Sequence, residues 1–400
     1  MCCLDGYTRC KRMKITLLGL EFASANLGCA ALAYSFANEV AKIAKDMNIE
    51  LEYNAVVFDM DSDVRVPYSG STVHCMKIRY KKIEFWRNLK KLFKESDLIV
   101  DFTGGDSFSD IYGKKRFYMA TIIKMMAINS KATFVLGPQT YGPYKRFLVK
   151  KFAKWVIKNS TYVFARDEAS KEFASKLAGR DVKIAPDVAF ALPYDKKEET
   201  NTSEKIRVGI NISGLLWYGG YKHAKLPLTV DYQEYNQRLI EKLSKDERYE
   251  IHLITHVGRE DESIAESDYA VCSKVHKQYP HTILAKVFKT PMDAKSYIAD
   301  MDIIVGARMH ATIAGVSTKV ATIPFSYSRK FEGLYDSIGY DYVIHACSQT
   351  TDEAVEKTYE YITKHKELKE NIKQSMEKII TLQGEFEGEM RQILNKVQSK

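Results

Sequence analysis

The sequence predicts an α/β protein built from two Rossmann-like β/α domains facing each other across a cleft, followed by a C-terminal helical tail. Three observations carry that expectation. The chain has 400 residues, too many for one ordinary α/β core. Apolar runs of strand length alternate with amphipathic stretches of helix length, first from Ile15 onward and again from Ile206. Between the two series, residues 194–205 are charged and almost free of apolar side chains, the composition of a linker. The expected division is a disordered leader (1–12), an N-terminal domain (13–193), the linker (194–205), a C-terminal domain (206–345) and the tail (346–400).

The first series opens with a strand at Ile15–Leu20, a loop through Asn26 and Gly28, a helix at Cys29–Met47 and a strand at Leu51–Asp59. That loop lacks G-x-G-x-x-G, so no dinucleotide is indicated. Residues 60–75 read as polar and irregular, and 82–95 as a basic helix. The strand at 96–103 runs into Gly104-Gly105-Asp106-Ser107, where two glycines and short polar groups end a strand. A helix at 115–129 leads to the strand Ala132–Leu136, which ends at Gln139 and Tyr141. A helix at 145–158, the strand Tyr162–Ala165 and a helix opening at Arg166-Asp167 follow. The short strand Val182–Ala185 ends at Pro186-Asp187.

The second series starts with a strand at Arg207–Ile212 and a loop from Ser213 to Tyr221. A helix at Asp231–Leu243, the strand Glu250–Thr255 ending in His256, a helix at 261–278 and the strand Thr282–Ala285 come next. A helix at 291–300 precedes the buried strand 302–306, with Arg308 and His310 at its end and a helix from Ala311. Val320–Phe325 is the last clear strand, with Ser326 after it. The tail, from Asp352 to about Lys396, reads as two polar helices.

Composition narrows the function. With 45% hydrophobic and 28% charged residues, the chain is an ordinary globular protein. Its 60 basic and 51 acidic residues leave a net charge of +9, which suits a phosphorylated substrate, a lipid diphosphate or an anionic membrane face. No nucleic-acid-binding module is recognisable, so nucleic acid is not an expected partner. Seven cysteines without a paired framework or C-x-x-C point to free thiols in a reducing compartment, and no zinc pattern occurs. No apolar run is long enough to span a bilayer. Arg9, Lys11 and Arg12 precede only a short apolar run interrupted by Glu21, which is not a signal peptide. A cytoplasmic location is expected.

In open α/β sheets ligands bind beyond the carboxyl ends of the strands. The polar groups there are Asn26, Asp106, Ser107, Gln139 and Tyr141 in the first series, and Ser213, His256, Arg308, His310 and Ser326 in the second. Arg308 offers a rigid fork of donors for a carboxylate or phosphate. His310 can move a proton near neutral pH. The plain alternative pairs Arg308 with a nearby carboxylate and makes His310 a cap for a backbone carbonyl.

The Asn26-x-Gly28 loop, the loop 104–113, Gly137-Pro138-Gln139 with Gly142-Pro143, Ala165-Arg166-Asp167-x-x-Ser170, Pro186-Asp187 and Arg308-Met309-His310-Ala311 occur in an order and spacing that resemble the polysaccharide pyruvyl transferase family, over about residues 14–345. Cys29-Ala30-Ala31 departs from the acidic residue that many members carry after this glycine. The resemblance implies the two-Rossmann GT-B arrangement and transfer of a pyruvyl group from phosphoenolpyruvate to a sugar, usually as a ketal. The acceptor belongs to a cell-surface polysaccharide, exopolysaccharide or capsule, or is its lipid-diphosphate-linked oligosaccharide precursor, which would bring the protein to the inner face of the membrane.

On that reading Arg308, His310, Arg166, Ser213, His256 and Ser326 hold the donor. Asn26, Asp106, Ser107, Gln139 and Tyr141 hold the acceptor, and His310 with Arg308 does the chemistry. Phosphate leaves, so no redox cofactor is needed, and no ligand cluster demands a metal. The acceptor sugar and the oligomeric state stay open. Competing readings are a nucleotide-sugar-dependent glycosyltransferase of the same fold, with Glu332 as a ribose-binding carboxylate, and a non-catalytic assembly role.

Overall fold

Val-, Ile- and Leu-rich runs form two separate parallel sheets in the computed structural model, which describes residues 12–196, 204–221, 224–258 and 266–400. Residues 1–11 of the expected leader and 197–203 of the expected linker lie outside that description. The fold has two units by spatial clustering. Unit 1 comprises the chain up to Phe22, Phe36–Pro186 and Gln383–Lys400; unit 2 comprises Ala23–Ser35 and Asp187–Leu382. Asn26, expected in the N-terminal domain, therefore falls in unit 2. The reason is local backbone pairing: Leu27 N–H donates to the His256 carbonyl at 3.0 Å, and Gly258 N–H donates to the Ala25 carbonyl at 3.1 Å.

In chain order unit 1 holds β1 (Met13–Leu18), most of α1 (Leu27–Asp46), β2 (Leu51–Val57), β3 (Val64–Arg65), β4 (Thr72–Lys77), α2 (Ile83–Glu95), β5 (Leu98–Asp101), α3 (Lys114–Ile128), β6 (Thr133–Gln139), α4 (Phe147–Asn159), β7 (Tyr162–Ala165), α5 (Glu168–Ala178) and β8 (Lys183–Ile184). The strand order is β3-β4-β2-β1-β5-β6-β7-β8. Every pairing is parallel except the edge pair β3–β4. Strands β5 and β6 are buried along their whole length, as helices on both faces of a parallel sheet require. The helices present apolar stripes at helical spacing, such as Phe85, Leu89 and Phe93 on α2. Asp167 caps α5 by accepting from Ser170 N–H at 2.7 Å, and Gly179 ends it in the left-handed conformation.

The stretch 60–75, expected to be irregular, contains β3 and the start of β4. Only Val73 of β4 is fully buried, so the strand lacks the apolar signature and is held by its pairing with β2.

Unit 2 holds β9 (Ile206–Asn211), α6 (Gly214–Trp217), the ribbon β10 (Gly220–Tyr221) and β11 (Ala224–Lys225), α7 (Tyr232–Ser244), β12 (Tyr249–Leu253), α8 (Asp268–Gln278), β13 (Ile283–Leu284), α9 (Pro291–Ala299), β14 (Ile303–Gly306), α10 (Met309–Ser317), β15 (Ala321–Ser326), α11 (Arg329–Ile338), β16 (Ile344–His345), α12 (Thr351–Thr363) and α13 (His365–Gln398). The main sheet is parallel, in the order β13-β12-β9-β14-β15-β16. Two further elements, α11 and β16, follow the expected last strand. β16 is two residues long and offers no sequence signal, whereas Phe331, Leu334, Tyr335 and Ile338 give α11 an apolar stripe at helical spacing that sequence analysis missed. The tail forms the two helices expected. Residues 383–400 cluster with unit 1, where the rings of Phe386 and Phe164 meet at 5.1 Å.

Candidate active site

Chain order reverses in the unit 2 sheet at β9. From there the chain steps outward through β12 and β13, then returns to the other side of β9 with β14. The gap beyond the ends of β9 and β14 is the topological switch point, where open α/β sheets bind ligands. Asn211 ends β9 and Gly306 ends β14. The buried Asn211 ties them together: its Oδ1 accepts from Arg308 N–H at 3.0 Å, and its Nδ2 donates to the Ile254 carbonyl at 2.9 Å. Arg308 is the N-cap residue of α10, in extended conformation, so its side chain and that of His310 leave from the first turn.

The Arg308 guanidinium grips Asp268 with a fork: Nη2 at 2.8 Å from Oδ1, and Nε at 3.1 Å from Oδ1 and 3.3 Å from Oδ2. Nη2 also donates to the Glu266 carbonyl at 3.2 Å. Burial works against the Arg308 charge, but Asp268 more than offsets it, and the pKa lies above the ordinary arginine value. Asp268 is wholly buried and takes three backbone donors besides: Gly214 N–H at 2.9 Å, His256 N–H at 3.2 Å and Val257 N–H at 3.0 Å. One carboxylate thus joins α6, the end of β12, α8 and α10. The plain reading of Arg308 as half of an ion pair describes this geometry. The guanidinium is thereby fixed in place, with Nη1 lacking a hydrogen-bond partner among the described residues.

His310 sits against the backbone of α1. A Cβ on Gly28 would lie 2.4 Å from its Nδ1, so only glycine leaves room for the ring. Its Nε2 faces Oδ2 of the buried Asp187 at 3.8 Å, while Asp187 Oδ1 accepts from Ala189 N–H at 2.9 Å. The buried Asp187 carboxylate thus faces the imidazole edge without a direct hydrogen bond. Asn26 is exposed, and its Oδ1 accepts from Gly28 N–H at 3.0 Å, capping α1 next to His310. His256 is buried nearby. Burial first, then the positive charges of His310 and Arg308, push its pKa down from 6.5 to about 3, so it stays neutral.

Ser213 is occupied as a cap: its Oγ accepts from Leu216 N–H at 3.4 Å and its N–H donates to Tyr232 OH at 2.9 Å. Ser326 differs. It ends β15, and its buried Oγ has no hydrogen-bond partner among the described residues, nor has Ser328 Oγ. Both α10 and α11 begin without a side-chain cap. Their positive ends and these hydroxyls lie at the ends of the adjacent strands β14 and β15.

The switch point of unit 1 lies between β1 and β5. Gly104 and Gly105 both have positive φ, and Gly104 N–H donates to the Gly19 carbonyl at 2.7 Å, forming the tight exit from β5. Ser107 Oγ accepts from Arg116 Nη2 at 3.0 Å, and Asp106 Oδ2 accepts from Tyr112 OH at 2.8 Å. Glu21, just past β1, accepts from Phe58 N–H at 2.9 Å; burial is the main force raising its pKa to about 7.

Other strand-end groups of unit 1 turn inward. Gln139 is fully buried, and its Nε2 donates to the Asp101 and Gly137 carbonyls at 3.1 and 3.3 Å. Buried Tyr141 OH donates to the Phe164 carbonyl at 3.0 Å. Arg166 Nε donates to Thr140 Oγ1 at 2.9 Å.

The structure therefore brings Arg308, His310, His256 and Asn26 together in unit 2, and Asp106 and Ser107 together in unit 1. It adds Asn211, Asp268 and Asp187 to the first group, and Arg116, Tyr112 and Glu21 to the second. Asp187 stood in the Pro186-Asp187 motif. Asp268, forty positions before Arg308, carried no local sequence signal. Among the described residues no group of three or more His, Cys, Asp or Glu is placed to hold a metal.

Solved structures similar to the chain include sugar-nucleotide epimerases and glycosyltransferases, and their likeness defines a GT-B-type fold of two parallel-sheet α/β units with a C-terminal helix. The UDP-GlcNAc 2-epimerase from Neisseria meningitidis, bound to UDP-GlcNAc, has a TM-score of 0.60 at 11% identity, covering 95% of this chain and 99% of that one. A glycosyltransferase from Rickettsia africae ESF-5 has 0.59 at 11% identity, covering 97% and 98%. An α,α-trehalose 6-phosphate synthase from Burkholderia multivorans has 0.54 at 7% identity, covering 97% and 98%. Comparison with curated proteins by sequence gives no match. Residues 26–329 match the family model of polysaccharide pyruvyl transferase, and the chain belongs to that family. The family implies a sugar or polysaccharide acceptor.

Proposed function

We propose that the protein transfers a pyruvyl group from phosphoenolpyruvate to a sugar of a cell-surface polysaccharide or its lipid-linked precursor, forming a ketal and releasing phosphate. The observation that carries this reading is the placement of His310 beside Arg308 at the unit 2 switch point, between buried Asp187 and the Gly28 backbone. Phosphoenolpyruvate brings a carboxylate and a phosphate on one small molecule. Arg308 Nη1, the uncapped starts of α10 and α11, and Ser326 Oγ supply donors for both groups.

Ketal formation joins two sugar oxygens to C2 of the enolpyruvate, breaks the bond from C2 to the phosphate oxygen, and protonates the methylene carbon. Two hydroxyl protons are released; one is matched by the proton taken up at carbon, and the other leaves on the departing phosphate. His310, whose Nε2 faces Asp187 at 3.8 Å, is the group we assign to carry a proton between these steps. His256, kept neutral, adds no competing charge. The Asp106, Ser107, Arg116 and Tyr112 cluster of unit 1 supplies hydrogen bonds suited to sugar hydroxyls.

The test is phosphate release from phosphoenolpyruvate with a diol sugar acceptor, beside donor binding by calorimetry. His310→Gln should lower turnover by roughly 100- to 10,000-fold while donor affinity stays within about threefold. Near wild-type turnover would remove the histidine from the mechanism. Consumption of a nucleotide-sugar in place of phosphoenolpyruvate would overturn the reading in favour of a glycosyltransferase.

A further inference from the structure

Charge is distributed very unevenly along the chain. Residues 111–166 contain twelve Lys and Arg and no Asp or Glu, against a net charge of +9 for all 400 residues, so the remainder is net acidic. This segment spans α3 and α4 of unit 1. Helix α4 buries Val149, Ala153, Val156 and Ile157 on its inner face. Its outer face carries Phe147 (71% exposed), Leu148 (56%) and Phe152 (37%). Lys150, Lys151, Lys154 and Lys158 are exposed between and beside them. Lys151 Nζ lies 4.6 Å from the centre of the Phe147 ring. The patch continues onto α3, where Tyr118 meets Phe152 at 5.9 Å and Ile122 is 44% exposed.

Single exposed apolar residues need no explanation, but three within six residues on one helix face, rimmed by lysines, mark a contact surface. We propose that the outer face of α4, with the adjoining part of α3, docks on an anionic phospholipid bilayer, the helix lying in the plane of the headgroups. Lysine ammonium groups meet lipid phosphates while the Phe and Leu side chains enter the acyl boundary. The aliphatic Leu148 and Ile122 favour a bilayer over single-stranded nucleic acid, because they offer no ring for a base to stack on. The purpose of such docking rests on the proposed membrane-borne acceptor. Docking itself is measured without donor or acceptor, so the two ideas fail separately.

The experiment is co-sedimentation of the full chain with vesicles of phosphatidylglycerol and phosphatidylethanolamine, and with vesicles of phosphatidylcholine alone. Binding should be confined to the anionic vesicles. A Phe147→Ser/Leu148→Ser/Phe152→Ser variant, and a Lys151→Glu/Lys154→Glu/Lys158→Glu variant, should each bind at least about tenfold more weakly. Raised salt should weaken the wild type toward the level of the charge variant. Circular dichroism should find both variants folded, and their turnover of a water-soluble acceptor should match wild type. Equal vesicle binding by wild type and both folded variants would overturn the proposal. So would binding of a single-stranded oligonucleotide with no vesicle binding.

Discussion

The two parallel sheets end in very different ways, although both are wound outward from a central pair of strands. At β9 and β14 the polar side chains bond to one another and to several elements at once: Asn211, Arg308, Asp268 and the backbone of His256 form one connected group. Beside the unit 1 switch point, at the ends of β5 and β6, many polar groups are spent on the core. Gln139 and Tyr141 brace backbone carbonyls, and Lys124 closes on Asp101 at 3.2 Å with both side chains nearly inaccessible. Burial pushes the Lys124 pKa down, with Asp101 opposing. A polar residue at a strand's carboxyl end is therefore either a strut or part of a site, and its partners decide which. Isolated buried bonds, such as Tyr141 to the Phe164 carbonyl or Lys124 to Asp101, make struts; side chains linked across several elements, such as Asn211, Arg308 and Asp268, make a connected cluster.

The strongest break in this contrast is Asp268→Ala. It leaves the Arg308 charge buried without its partner and removes the acceptor of three backbone N–H groups. Loss of one member of a buried pair costs about 3–5 kcal/mol. Thermal melting should show a large drop, and the proposed phosphoenolpyruvate turnover should vanish with it. A variant that melts like wild type would mean that the four elements are held without this carboxylate.

Acid should act on the same cluster. Unfolded, His256 binds a proton below about pH 6.5; folded, it resists protonation down to about 3. The unfolded state binds more protons across that window, so stability falls as pH drops through it and is unaffected by this group above it. The shift corresponds to an upper bound of about 5 kcal/mol at the acid end. His256→Gln lacks this contribution, so its melting temperature should vary less than that of wild type between about pH 7 and pH 4. Equal acid sensitivity of the two proteins would assign the loss to other groups.

The smallest effect separates strut from site within unit 1. Tyr141→Phe removes one buried hydrogen bond and should cost about 1 kcal/mol of stability with turnover retained. Asp106→Asn should leave melting unchanged while raising the KM for the sugar acceptor and sparing donor affinity. If Tyr141→Phe abolished acceptor turnover while keeping its stability, the tyrosine would belong to the site.

Much of this architecture was legible in the chain. Strands with continuous apolar runs, such as those at 98–101, 162–165 and 303–306, and most helices with clear periodicity were found close to their observed bounds. Short or half-exposed elements, β3, β4 and β16, were not, because their pairing rather than their composition holds them. Arg308 and His310 were legible because they follow a buried strand directly. Asp268 was not, since its role depends on where three other elements bring their backbone donors. The acid-free segment 111–166 was present in the sequence but vanished in a charge total taken over the whole chain.

Gly28 shows how stability and placement can pull against each other. It lies in the first turn of α1, where helix propensity alone would favour alanine by up to about 1 kcal/mol. The added methyl would fall 2.4 Å from His310 Nδ1 and 2.9 Å from Cγ, inside the space the imidazole occupies. A selection for heat resistance that ignored activity would thus be drawn toward the substitution that dislodges the ring. Residue 28 acts as a spacer one atom deep, and engineering this protein for robustness has to begin elsewhere.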